Sequence, residues 1–135
     1  MNMDIDASKI PSPGVEPDTA EFWAAANDGV LKIGSCNSCG EPHFYPRAIC
    51  PRCGSLDVGL KEAKGTGTIY TYSVFRRTSE PYALAWVSLD EGVGMMTNII
   101  NCDLDEIRIG QEVEVVFRPS ESGQAVPMFQ PRGGR

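Results

Sequence analysis

The sequence lacks any apolar run near the roughly 18 residues that a membrane-spanning helix requires. Its first residues, Met1 to Lys9, alternate aspartate with apolar side chains and carry no basic flank of the kind found in secretory signals. We therefore expect a cytoplasmic protein that does not insert into a membrane. In such a reducing compartment, five cysteines favour metal binding over disulfide formation.

Motifs of familiar catalytic chemistry are also missing. The sequence contains no Gly-x-Ser-x-Gly elbow, no His-Glu-x-x-His helix and no glycine-rich phosphate loop. His43 is the single histidine and has no evident nucleophile beside it. We interpret Cys102 as a buried or incidental thiol, although a Cys–His pair stays open. We expect no catalysis by this chain alone.

An overall basic charge is absent as well. The net charge is −6, which disfavours a general nucleic-acid-binding protein. Residues 1–31 and 78–135 are both acidic, whereas residues 32–77 carry seven bases and three acids. The middle segment is therefore the only locally basic part of the chain.

Changes in residue pattern divide the 135 residues into three parts. Residues 1–30 are predicted to form an N-terminal arm and a helix, residues 31–62 a rubredoxin-like zinc ribbon, and residues 63–135 a barrel with a C-terminal tail. The first fifteen or so residues lack periodicity and predict a loose arm. The predicted fold class is therefore mainly β, with one N-terminal helix.

The N-terminal helix is predicted from about Thr19 to Asp28. Asp18 and Glu21 stand at capping-box spacing, and Gly29 suits the left-handed residue after a helix. So short a helix is marginal alone, so its aromatic pair Phe22-Trp23 must bury against the rest of the chain or against a partner.

Four cysteines form the strongest motif in the sequence. They occur as two Cys-x-x-Cys pairs, each followed by glycine, and they are Cys36, Cys39, Cys50 and Cys53. This spacing lets two tight turns aim four thiolates at one ion, which predicts a structural zinc site without an open position for water. Iron fits the same ligands, and a redox dithiol or a disulfide pair is a weaker alternative. The ribbon has few apolar side chains, which are Ile33, Phe44, Ile49 and Leu56. We therefore expect metal binding to stabilise the fold of the ribbon.

Five strand-like segments follow Gly65. Each is rich in aromatic or β-branched residues or alternates apolar with polar ones. Their predicted bounds are Thr68 to Arg77, Tyr82 to Asp90, Val93 to Asn101, Glu112 to Arg118 and Ala125 to Gln130. Five short strands in about sixty-five residues predict an OB-fold barrel rather than a sandwich, which needs about seven.

One basic, aromatic group of residues is a candidate ligand site. Arg76 and Arg77 end the first barrel strand, while Tyr82 and Trp86 lie in the second. Guanidinium groups pair with phosphate and aromatic faces stack on purines, so this group suits an anionic nucleotide such as CoA. An ordinary barrel with exposed arginines is the simpler interpretation.

The order of short motifs resembles the bacterial and archaeal family of acyl-CoA-associated zinc-ribbon OB-fold proteins, a domain of unknown function. The resemblance covers almost the whole chain. Its motifs are Phe22-Trp23, Gly34 to Cys39, Pro46-Arg47-x-x-Cys-Pro-x-Cys-Gly, Gly65 to Tyr70, Pro81 to Ala85, Glu91-Gly92-Val93, Ile109 to Val113 and Pro127 to Pro131.

The resemblance implies a non-catalytic accessory subunit. Such a protein binds zinc, associates with a thiolase-like, lipid-transfer-type or hydratase enzyme, and helps to hold an acyl-CoA thioester. Two alternatives remain. Zinc ribbons and OB barrels also bind single-stranded nucleic acid, which the charge disfavours, and a rubredoxin-like iron centre would make the chain an oxidoreductase.

Overall fold

The computed structural model describes residues 10–133, which form one helix, a small ribbon sheet and a closed barrel. The helix α1 spans Ala20–Asn27 and follows a 3-10 turn at Pro17–Thr19. The ribbon strands are β1 (Lys32–Cys36), β2 (Pro42–His43) and β3 (Val58–Glu62), and the barrel strands are β4 (Thr66–Phe75), β5 (Tyr82–Leu89), β6 (Gly94–Ile99), β7 (Glu112–Pro119) and β8 (Ala125–Pro131). The predicted mainly β fold is confirmed. No helix in residues 10–133 has the length and apolar character to cross a membrane.

The barrel closes in the strand order β4-β5-β6-β8-β7. Neighbouring strands are antiparallel except β6 and β8, which pair in parallel at Ile99 and Phe129. This is the Greek-key arrangement of an OB barrel. Each strand has at least one fully buried side chain, and these include Ile69, Val87, Ile99, Val113 and Phe129. The barrel core is thus built from all five strands.

Helix α1 buries the predicted aromatic pair within its own chain. Phe22 and Trp23 join one hydrophobic cluster that continues into the ribbon at Ile33 and into the barrel. The predicted cap is wrong, because the backbone N–H of Glu16 donates to Thr19 Oγ1 at 3.1 Å. Capping therefore begins before Asp18, at the 3-10 turn. Gly29, with φ 78°, ends the helix as predicted.

The N-terminal arm is not loose where the structure describes it. Ile10 is buried against Ile100 and Met128 on the barrel, and its carbonyl accepts a 3.0 Å hydrogen bond from the N–H of Glu121. Local periodicity cannot reveal a single long-range anchor of this kind. The part of the predicted arm before Ile10 lies outside the described residues.

Candidate functional site

Two matching turns hold the four cysteine side chains of the ribbon together. The N–H of Gly40 donates to the carbonyl of Cys36 at 2.9 Å, and the N–H of Gly54 donates to that of Cys50 at 3.0 Å. Both glycines have positive φ, 76° and 78°, which other residues adopt only with strain. The predicted need for glycine after each pair is therefore confirmed.

The four sulfur atoms are arranged as ligands of one tetrahedral ion. All lie within 4.8 Å of one another. The Sγ atoms of Cys36 and Cys53 are 3.6 Å apart, and those of Cys39 and Cys50 are 3.7 Å apart. Zinc–sulfur bonds of about 2.3 Å in a tetrahedron require sulfur separations of about 3.8 Å. The geometry fits a zinc site with four cysteine ligands and supports a structural zinc.

Backbone N–H groups prepare the two buried sulfurs for ionisation. Ser38 and Cys39 donate to Cys36 Sγ at 3.3 and 3.4 Å, and Arg52 donates to Cys50 Sγ at 3.4 Å. Hydrogen bonding led by the N–H of Cys53 lowers the pKa of Cys50 to about 6, and that of Cys39 lowers the pKa of Cys36. These N–H groups would stabilise thiolates toward a metal ion.

The two exposed cysteines behave differently. The N–H of Glu41 lowers the pKa of Cys39, but burial and the neighbouring thiols outweigh it and raise the pKa to about 12. The pKa of Cys53 is raised as well, although the N–H of Ser55 opposes the shift. Metal binding at this site would therefore displace protons from these two thiols.

A histidine covers the ribbon beside the cysteine site. His43 pairs with Gly34 across β1 and β2, and a Cβ at Gly34 would overlap the imidazole ring of His43. The ring is buried, and neither nitrogen has a hydrogen-bond partner within residues 10–133. Burial, then the charge of Arg47, lowers the pKa of His43. A hydrogen-bonded pair with Cys102 is therefore not formed.

Cys102 lies by itself, away from the ribbon cysteines, and is partly buried against the core. Burial, then the charge of Asp103, raises the pKa of its thiol. It borders a depression of about 520 Å³ that Asp103, Glu106 and Arg108 also line. A protonated thiol is a poor nucleophile, and no general base is paired with it among the described residues, so we assign Cys102 no role.

Helix α1 connects the ribbon to the barrel through directed contacts. The indole N–H of Trp23 donates to Tyr45 Oη in the ribbon at 2.7 Å. On the barrel side, Gln124 Nε2 donates to the carbonyl of Trp23 at 2.9 Å, and Asn27 Oδ1 accepts from the N–H of Ala125 at 2.9 Å. The helix is therefore fixed to both parts.

The four predicted ligand residues do not form one pocket. Arg76 is paired with Asp105 at 2.6 Å. The ring of Tyr82 stacks on Phe75, with centroids 4.9 Å apart. Trp86 lies four residues further along β5, about 13 Å away. Arg77 and Tyr82 therefore lie near one end of the strands, and Trp86 lies elsewhere on the same outer surface.

Sequence reasoning missed the apolar side chains that surround Trp86. Tyr70 and Met96 line a depression of about 350 Å³ with it, and all three are exposed. We call Tyr70, Trp86 and Met96 the apolar face. Trp86 and Met96 are direct cross-strand neighbours, which correct strand pairing would have revealed. Tyr70 sits at a register irregularity between Ile69 and Thr71, which alternation alone does not show.

Comparison with known proteins identifies the family. Two family models match adjoining segments, the rubredoxin-like zinc ribbon domain of ChsH2 over residues 23–59 and the C-terminal OB-fold domain of ChsH2 over residues 60–118. A DUF35 domain-containing scaffold protein of Methanothermobacter thermautotrophicus is 42% identical over an alignment of 110 residues, and the match covers 75% of this chain and 82% of that protein. The chain belongs to the DUF35 family. The predicted resemblance is thereby confirmed.

Two further similarities are to a longer relative and to a chain of a solved aldolase. A relative from Thermomonospora curvata, named a probable enoyl-CoA hydratase alpha subunit, is 33% identical over 126 residues. That match covers 90% of this chain but only 40% of the relative. The solved Ltp2-ChsH2(DUF35) aldolase contains a chain with a TM-score of 0.79 and 33% identity, and the match covers 89% of this chain and 98% of that one.

Proposed function

We propose that this DUF35 protein is a non-catalytic accessory subunit of a thiolase-superfamily or other acyl-CoA enzyme. The main support for this proposal is the similarity, over 89% of the chain, to a chain of the Ltp2-ChsH2(DUF35) aldolase. The name scaffold protein, given to the Methanothermobacter thermautotrophicus relative, is consistent with a role in holding other proteins. Within residues 10–133, moreover, the lone histidine and Cys102 are not hydrogen-bonded as a nucleophile and base.

Zinc has a structural role in this proposal. Cys36, Cys39, Cys50 and Cys53 would supply four thiolates and leave no position for water, so the ion would hold the two turns together and would not activate a nucleophile. Metal analysis tests this part. We expect colourless protein with one zinc per chain, and visible absorption from bound iron would instead favour the oxidoreductase alternative.

Holding of a CoA thioester is the finer part of the proposal. Of the predicted group, Arg77 and Tyr82 suit it best. Among residues 10–133 no ion pair engages Arg77, whereas Arg76 is already bound to Asp105. Arg77 would meet a phosphate group, and the stacked ring of Tyr82 would border the adenine. Calorimetry with CoA should show Arg77→Ala binding at least tenfold more weakly than wild type. Arg52→Ala, which removes an exposed arginine of the ribbon, should bind like wild type.

Recovery of the partner from the native host tests the proposed function itself. The tagged full-length chain is expected to copurify with an enzyme that mass spectrometry identifies as thiolase-like, lipid-transfer-type or hydratase. Copurification without any acyl-CoA enzyme, together with no CoA binding by calorimetry, would count against the proposal. Identification of the enzyme would also fix the reaction that this chain supports.

Single-stranded nucleic acid is the second candidate ligand. Exposed Tyr70 and Trp86 on an OB barrel favour it, because bases stack on such rings. The net charge of −6 opposes it. A binder that contacts several phosphates loses affinity steeply as salt rises. We expect no binding in an oligonucleotide titration at low salt, and tight, salt-sensitive binding would favour this candidate over the first.

A further inference from the structure

The apolar face belongs to three consecutive strands without a single charge. Strands β4, β5 and β6 have 10, 8 and 6 residues, and none is Asp, Glu, Lys or Arg. Charged residues make up 22% of the whole sequence. Exposed strands of soluble proteins usually carry charges that oppose association. An uncharged surface of this kind is readily desolvated when it binds another molecule.

The exposed side chains of the face are those that dominate protein interfaces. Tyr70 is 67% exposed, Met96 58% and Trp86 41%. Interface centres are enriched in Trp, Tyr and Met and depleted of charged residues. Contiguous apolar patches are otherwise uncommon on soluble proteins. The composition therefore indicates a protein partner.

Trp86 already lies against the sheet in the free protein. Its indole lies directly over Gly94, where a Cβ would overlap Trp86 Nε1. Glycine at position 94 thus makes room for the ring against the sheet. A side chain already fixed loses little conformational freedom on binding, so a partner gains more from contact with it.

Strand β8, unlike the strands that carry the apolar face, is covered by other parts of the described chain. Strand β8 is contacted by helix α1 and, through Met128, by Ile10. Nothing in residues 10–133 covers Tyr70, Trp86 and Met96 in a comparable way, since all three remain exposed. The apolar face therefore has no comparable covering segment among the described residues.

We propose that the apolar face is the surface on which the acyl-CoA enzyme docks, and that the enzyme offers it an uncharged patch of aliphatic side chains. This inference rests on the proposed function. The chain's net charge of −6 opposes self-association through an uncharged face, which favours the enzyme over a second copy. Docking here would place the enzyme beside Arg77 and Tyr82, at the end of the same strands.

Binding of the copurified enzyme to charged variants of the face tests this inference. Met96→Glu and Tyr70→Glu each place a carboxylate on an exposed position and leave the barrel interior intact. Each should raise the Kd for the purified enzyme at least 30-fold, as loss of a central interface contact does. Ile109→Glu is the matched control, because Ile109 is a 68% exposed apolar residue outside the face. Its Kd should stay within about twofold of wild type.

The outcomes separate this inference from the function on which it rests. If wild type recovers no acyl-CoA enzyme, the docking surface is overturned, and if it also fails to bind CoA, the proposed function is overturned with it. If wild type binds the enzyme and both face variants bind equally well while thermal unfolding shows them folded, only the docking surface is wrong. A change of oligomeric state in sedimentation, with enzyme binding unchanged, would assign the face to a second copy. Loss of oligonucleotide binding alone would assign it to nucleic acid.

Discussion

The ribbon and the barrel are both small β-structures, but they are stabilised in different ways. Each of the five barrel strands contributes at least one fully buried side chain to the core. In the ribbon, Ile33 is buried, whereas Ile49 is 52% exposed and Leu56 is 74% exposed. Packing can therefore stabilise the barrel, whereas we expect the ribbon to need a metal ion bound by its four cysteines. A metal site compensates for a core that a segment of this size cannot build.

Helix α1 makes the two parts depend on each other. Its Trp23 bonds to Tyr45 of the ribbon and accepts from Gln124 of the barrel. Loss of the ribbon fold would release Tyr45 but would leave the contacts to Gln124 and the barrel core in place. We therefore predict that changes in the ribbon act locally and that the ribbon and the barrel lose stability to unequal extents.

Removal of the metal should have the largest effect. Chelation is expected to unfold residues 32–62, because zinc contributes on the order of 10 kcal/mol to folding in small zinc domains. Hydrogen exchange read by mass spectrometry should show fast exchange in the ribbon and retained protection in β4 to β8. Restoring zinc is the control. A ribbon that stays protected after metal analysis shows no bound ion would mean that packing suffices.

Truncation of one apolar side chain should destabilise the barrel far more than the ribbon. Phe129→Ala in the barrel should lower the free energy of unfolding by about 3–5 kcal/mol, because it leaves a buried cavity. Leu56→Ala in the ribbon should change it by less than about 0.5 kcal/mol, because Leu56 is exposed. Denaturant titrations measure both. Equal losses would contradict the difference between the two parts.

The close packing of His43 on Gly34 offers a smaller, sharper test within the ribbon. Gly34→Ala would place a methyl group where the imidazole lies and should cost about 1–3 kcal/mol. The same substitution in a His43→Ala background should cost little, because the obstructing ring is gone. A double-mutant cycle measures this coupling. Additive losses would show that the ring is not what excludes a side chain at position 34.

Acid should weaken the ribbon through the same histidine. Burial and Arg47 lower the pKa of His43 below its ordinary 6.5, so the fold favours the neutral ring. The contribution of the neutral His43 ring to the free energy of unfolding is complete above pH 6.5. It is lost as pH falls, with a slope of at most about 1.4 kcal/mol per pH unit. Unfolding free energies measured from about one pH unit above that value to about one unit below it should fall more for wild type than for His43→Gln. Identical slopes would assign the acid sensitivity to the cysteines.

Local signals predicted much of the architecture. The four cysteines were identified by spacing because two short turns suffice to bring each pair together. Barrel strand bounds were within two residues of those observed, since alternation and β-branched residues act over a few positions. Gly29 was placed correctly for the same reason. Each of these features depends on neighbours in sequence.

Features that depend on three-dimensional packing, and not on local sequence pattern, were missed. The cap uses Glu16 and Thr19 because the 3-10 turn, which packs Thr19 inward, starts the helical segment early. Ile10 is held by barrel residues that lie far along the chain. Tyr70 joins Trp86 because a register irregularity interrupts β4. The packing of His43 over Gly34 required the actual strand pairing.

The central claim is that a metal ion bound by the four cysteines stabilises the ribbon, whereas packing alone stabilises the barrel. The most direct measurement is hydrogen exchange on Cys53→Ser, read separately for the ribbon and for strands β4 to β8. Cys53 lies 3.6 Å from Cys36 across the site, so its loss removes one of four ligands. We predict fast exchange in the ribbon and retained protection in the barrel. A Cys53→Ser protein whose ribbon stayed protected would contradict the central claim.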